Sequence, residues 1–215
     1  MRPYLVTALF LALFAAPGIA QELPESCQPS ATVTGTSPAQ LDEARLRCDL
    51  DRAAIISARS ARQFIVDPSP LVRVVDTESP SGAAYIYDVV RENGRLLLDA
   101  RNVPMDDDTS GHTLNCRLRI PLPDAAANQV VMAQQSASAA SVPAYGLREE
   151  IVTNPDGSRR RVLLFDTHDI ITHIETANGP RDFSRHARAT DKISQLNAAL
   201  IGVANVSDQW TCLAP

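Results

Sequence analysis

The chain has 215 residues, of which 45% are hydrophobic and 21% are charged, and its net charge is -5 at neutral pH. This composition excludes a multi-span membrane protein, which is more apolar, and a disordered chain, which is more polar. The acidic balance also speaks against nucleic acid as a partner, because phosphates are bound by clustered Lys and Arg side chains.

The first segment of the chain has the pattern of a secretory signal peptide. A short basic start precedes an apolar run from residue 4 to residue 16, and a small-x-small ending follows at residues 18–20. We therefore predict that residues 1–20 are removed by cleavage near Ala20. The run is too short to span a bilayer, so the mature protein is expected to be periplasmic or secreted, without a transmembrane segment.

A helix is predicted after an irregular strap. Residues 21–37 are rich in Pro, Ser and Thr, and a single α+β domain is predicted over residues 38–215. Ser37, Pro38 and Gln40 form an N-terminal capping pattern, and the prolines at 68 and 70 end the helix. Its buried stripe is predicted from helical spacing to contain Leu41, Ala44, Cys48, Ile55 and Ala58, widened by Leu46, Leu50 and Ala54.

Strands are predicted through the middle of the chain from short β-branched or alternating segments. They cover residues 71–76, 84–91, 95–101, 113–120, 147–153, 159–165 and 169–175. The Asn93-Gly94 pair predicts a two-residue type I′ hairpin loop, and residues 154–157 predict a second hairpin turn.

Two further helices complete the predicted fold. One is predicted around residues 125–135 and the other over about residues 182–203, with Phe183 on its buried face and an ion pair between Asp182 and His186. The resulting fold class is α+β, with a mainly antiparallel sheet of about six or seven strands flanked by an N-terminal and a C-terminal helix.

The four cysteines predict two disulfide bonds. An exported chain without a CxxC motif is expected to use them structurally, not for zinc or redox chemistry. Four cysteines allow three pairings. Cys48 and Cys116 lie in predicted regular elements, whereas Cys27 and Cys212 lie in irregular terminal segments. We therefore predict the pairs Cys27–Cys48 and Cys116–Cys212, one at each end of the domain.

Two sets of oxygen and nitrogen ligands are candidate sites for calcium or another divalent cation. Asp106, Asp108 and Ser110 match the first half of a calcium loop, but Arg117 occupies the place of its bidentate Glu, so a solvated acidic loop is the alternative. The second set, which lies on one face of a predicted strand with neighbours about 6 to 7 Å apart, contains Asp169, His173 and Glu175. A general-base role is the other chemistry that this set could serve, and a polar outer face of the sheet is the alternative.

A pair of carboxylates is a candidate catalytic site. The Asn93-Gly94 register places Asp88 directly opposite Asp99, where like charges repel and raise one pKa into the range of acid/base chemistry. Arg101 is a diagonal neighbour on the same face. A structural ion cluster is therefore the alternative.

Known catalytic motifs are absent from the sequence, including GxSxG, HExxH, Walker and GxGxxG patterns. We therefore expect a non-enzymatic binding or envelope-associated protein without a cofactor, whose partner is an envelope component or a small ligand. One alternative is a hydrolase, metal-assisted or not, that uses the paired acids. The other is a carrier of an apolar ligand.

Overall fold

The computed structural model describes residues 27, 38–67, 69–77, 83–104, 115–146, 149–163 and 169–213. Within these residues the chain forms three helices and nine strands in an α+β fold, as predicted. The elements are α1 (Pro38–Gln63), β1 (Val72–Asp76), β2 (Ala83–Glu92), β3 (Arg95–Pro104), β4 (Asn115–Pro121), α2 (Asp124–Ala137), β5 (Glu149–Thr153), β6 (Arg159–Leu163), β7 (Asp169–Thr176), β8 (Gly179–His186), α3 (Lys192–Asn205) and β9 (Thr211–Leu213). The predicted signal peptide and most of the strap lie outside the described residues.

Seven strands form one antiparallel sheet in the order β8-β7-β1-β2-β3-β4-β9, and β5 and β6 form a separate two-stranded ribbon. The Asn93-Gly94 loop has the predicted conformation, since both residues have positive φ angles of 50° and 79°. The turn over residues 154–157 is also as predicted, with the Gly157 amide donating to the Asn154 carbonyl at 2.9 Å.

Helices cover both faces of the large sheet. Successive side chains of a strand point to opposite faces of the sheet, so apolar side chains are present on both faces and each face needs a covering layer. Val72 and Val74 belong to the larger hydrophobic core, which α2 and α3 cover with the apolar residues Ala126, Val130, Ala133, Ala137, Ile193, Leu196, Leu200 and Ala204. Val75 and Ile171 belong to a second core on the opposite face, beneath α1. None of the helices in the described residues is long and apolar enough to cross a membrane.

Helix α1 forms where predicted, but the face that it buries is different. The buried residues are Asp49, Ala53, Ile56 and Ser60, whereas Ala44 and Ala58 are exposed. Hydropathy misses this face because two of its members are polar. Asp49 is satisfied by a polar residue of the sheet, since the Ser184 hydroxyl donates to its Oδ2 at 2.6 Å.

The prediction of a helix over residues 182–203 is wrong before Lys192. Strand β8 occupies residues 179–186 and pairs with β7 as a hairpin, and α3 begins only after Asp191, which caps it by accepting from the Ser194 amide at 2.9 Å. Phe183 is buried, as predicted, but on a strand. The proposed i, i+4 pair of Asp182 and His186 is therefore wrong as well.

Two arginines of β8 hold the end of α2 and the segment that follows it. The Arg181 guanidinium donates to the carbonyls of Ala137, Ala139 and Val142 at 2.6 to 2.8 Å. Arg185 is buried and donates to the carbonyls of residues 143 and 144, beyond the helix. Because the last carbonyls of a helix have no partner within it, the bond from Arg181 to Ala137 stabilises the helix end.

Two disulfide bonds, Cys27–Cys48 and Cys116–Cys212, join the pairs that the sequence predicts. The first attaches the segment before α1 to that helix. The second joins opposed residues of β4 and the edge strand β9, which is too short to give a periodic signal in the sequence. Each bond therefore attaches one end of the chain to a regular element.

Candidate functional site

A cleft of about 460 Å³ lies between α1 and the sheet, beside strands β1, β7 and β8. One part of its lining is apolar and comprises Leu50, Ala53, Ala54, Pro70, Val75 and Ile171. The other part is polar and comprises Ser57, Ser69, Arg73, His173, Glu175 and Asp182. A concave, partly apolar site with a few convergent polar groups is the usual form of a small-molecule site.

The sheet register brings the polar side chains together. His173 lies between Arg73 of β1 and Asp182 of β8 in the pairing of the three strands. Residues 171, 173 and 175 share one face of β7, as the sequence analysis assumes. Helix α1 packs on this face, where its Ala53 and Ile56 share a core with Ile171.

His173 is held between two carboxylates. Its Nδ1 lies 2.8 Å from Asp182 Oδ1, and its Nε2 lies 3.5 Å from Glu175 Oε1. All three side chains are partly exposed, so solvent or a ligand reaches them. The hydrogen bond to Asp182 is the main cause of a raised pKa of His173, and Glu175 adds to it. A carboxylate bond to Nδ1 also fixes the tautomer when the ring is neutral.

We predict that NMR titration will give His173 a pKa above its ordinary value of 6.5, and that Asp182→Asn will lower it. Because folding raises this pKa, the stabilisation is fully present below about pH 6.5 and is lost as the pH rises through the raised pKa. Asp208→Asn, which changes an exposed acid far along the chain, is the control. An unchanged His173 pKa in Asp182→Asn would contradict the assignment.

Only part of the predicted acidic face forms this site. Asp169 lies at the other end of β7, where it is buried and pairs with His186. The second carboxylate of the site is Asp182 instead, which is not predicted because residue 182 is expected to begin a helix. One signal for β8 is present in the sequence, because Asn178-Gly179 is a hairpin dipeptide that directly follows the predicted strand over residues 169–175.

The cation sites proposed from sequence find no further support. Asp106, Asp108 and Ser110 lie outside the described residues. Among the residues that are described, no group of three or more His, Cys, Asp or Glu side chains is arranged to hold a metal ion.

Asp88 and Asp99 are directly opposed, as the register predicts, and belong to a buried ion cluster. Each of these side chains is 1% exposed. Arg73 and Arg101 pair with Asp88, and Asp99 is contacted by Arg117 Nε at 2.9 Å and Arg119 Nη1 at 3.4 Å. The arginines neutralise both carboxylates and shield them from solvent. The geometry is that of a structural ion cluster.

Comparisons of this chain with protein-family models, with curated proteins and with solved structures give no match.

Proposed function

We propose that the protein is an exported, soluble binding protein that holds a small amphipathic ligand in the cleft between α1 and the sheet. The observation that carries this proposal is the division of the lining into an apolar part and a polar group centred on His173. An apolar ligand body would lie against Leu50, Ala53 and Ile171. Its polar end would lie beside the partly exposed side chains of β7 and β8.

Export is supported by the two disulfide bonds, because such bonds persist in oxidising compartments and are rare in the cytosol. A fold of this size does not need them for a core. We infer a periplasmic or secreted location, where disulfides reinforce the ends of the chain.

The charges of the cleft favour a ligand with a basic end. Arg73 is engaged by Asp88 through two hydrogen bonds of 2.8 and 2.9 Å, and its Nη2 also donates to the Asp67 carbonyl. Two carboxylates, Glu175 and Asp182, then face a single imidazole. Glu175 and Asp182 are 41% and 43% exposed, whereas Arg73 is 23% exposed, so the charges at the surface of the cleft attract an ammonium group more than a carboxylate.

The test is isothermal titration of the mature protein with octylamine, octanol and octanoate at one pH and ionic strength. We expect octylamine to bind most tightly and octanoate most weakly. Ala54→Trp, which fills the cleft from α1, should abolish binding. Ala125→Trp changes another exposed helical alanine, on the opposite side of the sheet, and should leave binding unchanged. Equal binding by wild type and Ala54→Trp would overturn the proposal.

A hydrolase is the second candidate function, and the hydrogen bond between Asp182 and His173 Nδ1 is the observation that favours it. A histidine oriented by a carboxylate can accept a proton from water through Nε2. Hydrolysis of p-nitrophenyl acetate that saturates and is lost in His173→Gln would support this function. Turnover equal in both proteins would exclude His173 as its base.

A further inference from the structure

The hydrogen bond to Asp182 leaves one ring nitrogen of His173 as an acceptor. An ionised carboxylate only accepts hydrogen bonds, so Nδ1, which lies 2.8 Å from Asp182 Oδ1, carries the proton of the neutral ring. Nε2 of the neutral ring is then unprotonated and accepts a hydrogen bond. The His173 side chain is 35% exposed and lines the cleft, so a ligand in the cleft reaches this atom.

Glu175 supplies a second acceptor beside Nε2. Its Oε1 is 3.5 Å from Nε2, which is longer than the usual hydrogen bond of about 2.7 to 3.2 Å. The Glu175 side chain also lines the cleft and is partly exposed. Two neighbouring acceptors repel each other, and a hydrogen-bond donor beside them removes this repulsion. That donor is either a proton on Nε2 or an N–H group of a ligand.

The other charges near His173 have partners of their own. Arg73 lies opposite it on β1 and donates two hydrogen bonds to Asp88. The residues that α1 contributes to the cleft lining are uncharged, and the buried Asp49 of α1 accepts from the Ser184 hydroxyl. The two carboxylates beside the ring therefore dominate the charge that a ligand meets there.

We propose that Nε2 of His173 and Oε1 of Glu175 together accept hydrogen bonds from the ammonium group of an amphipathic amine, so that the amine and a proton on Nε2 compete. The proposal rests on the function proposed for the cleft, and it names the atoms that hold the basic end of the ligand. Ile171 lies two residues before His173 on the same face of β7, which places the apolar lining next to these atoms. The amine binds the neutral ring, and protonation of the ring releases it.

The test is isothermal titration of the protein with octylamine between about pH 5.5 and about pH 8.5, where an alkylammonium ion stays charged. The hydrogen bond to Asp182 raises the pKa of His173 above 6.5, so the competition extends above that pH. We expect the octylamine affinity to rise with pH, by up to about ten-fold per unit below the pKa of His173, and to level off above it. The affinity for octanol should not change with pH, because a hydroxyl accepts from the protonated ring and donates to the neutral one.

The reciprocal measurement is the pKa of His173 by NMR in the free and the ligand-saturated protein. Octylamine should lower this pKa, because an ammonium group bound to Nε2 disfavours a proton there. His173→Gln keeps an acceptor that does not titrate, so its octylamine affinity should be independent of pH. Glu175→Gln should weaken octylamine binding about ten-fold and leave octanol binding unchanged. Asp208→Asn, which removes an exposed acid beyond α3, is the control and should alter neither.

The outcomes separate this inference from the function on which it rests. Octylamine affinity that does not vary with pH, together with octanol binding that is lost in Ala54→Trp, would overturn the inference and leave the binding function of the cleft standing. Absence of binding by both probes would overturn both proposals. Full pH dependence in His173→Gln would also overturn the inference, because a group other than His173 would then compete with the amine.

Discussion

Asp88→Asn should lower the free energy of unfolding by about 3 to 5 kcal/mol, the usual cost of removing one partner from a buried ion pair. Asp88 and Arg101 are each 1% exposed in their side chains. The Arg101 guanidinium bonds Asp88 through Nη2, while its Nε and Nη1 have no hydrogen-bond partner in the described part of the chain. Loss of the carboxylate therefore leaves a buried cation without its compensating charge.

Urea unfolding of four proteins measures this coupling: wild type, Asp88→Asn, Arg101→Met and the double variant. We expect Asp88→Asn to cost about 1 to 3 kcal/mol less in the Arg101→Met background, where the fully buried cation is absent and only the partly exposed Arg73 loses its partner. Glu92→Gln is the control, because Glu92 pairs with Arg119 at the exposed edge of the cluster and such pairs contribute about 0 to 1 kcal/mol. Equal costs of Asp88→Asn in both backgrounds would contradict the coupling.

Removal of the Cys116–Cys212 disulfide by paired Cys→Ser changes should lower the free energy of unfolding by about 4.7 kcal/mol in the chain-entropy model. The bond closes a long loop, because its two cysteines are 96 residues apart in the sequence. It also attaches β9, which pairs with β4 at only three positions. We therefore expect the amide protons of β9 to lose protection from hydrogen exchange when the bond is absent.

The Cys27–Cys48 bond gives an internal comparison. Its sequence separation is 21, so its removal should cost less, about 3 kcal/mol. Denaturant unfolding of the two double-serine variants, without reductant, measures both costs under one condition. A larger loss from the Cys27–Cys48 pair would show that chain entropy does not govern their relative contributions.

Local signals predicted most elements of the fold. The Asn93-Gly94 dipeptide determines a loop with two positive φ angles, and the loop in turn fixes which residues of β2 and β3 are opposed. The opposition of Asp88 and Asp99 was therefore predictable from sequence. Its neutralisation was predictable only in part, because Arg73 and Arg117 come from the neighbouring strands β1 and β4.

The same local reasoning failed where a side-chain pattern fits two structures. An apolar residue such as Phe183 is expected to be buried whether it lies in a helix or in a strand. Its hydropathy therefore does not distinguish the two kinds of element, and the structure places it in a strand. The buried face of α1 was also misassigned. Asp49 lies on that face because Ser184, far along the chain, donates a hydrogen bond to it. A helical hydropathy pattern contains no information about such a partner.

The sequence by itself determined an acidic α+β chain with an antiparallel sheet and two disulfide bonds. These properties follow from composition, hairpin loops and cysteine placement, which act over short stretches of chain. Only the tertiary structure decided where the cleft lies. It also decided that His173 forms its hydrogen bond with Asp182 and not with Asp169. This site depends on how β8 pairs with β7 and on where α1 crosses the sheet, and both are set by contacts between residues distant in sequence.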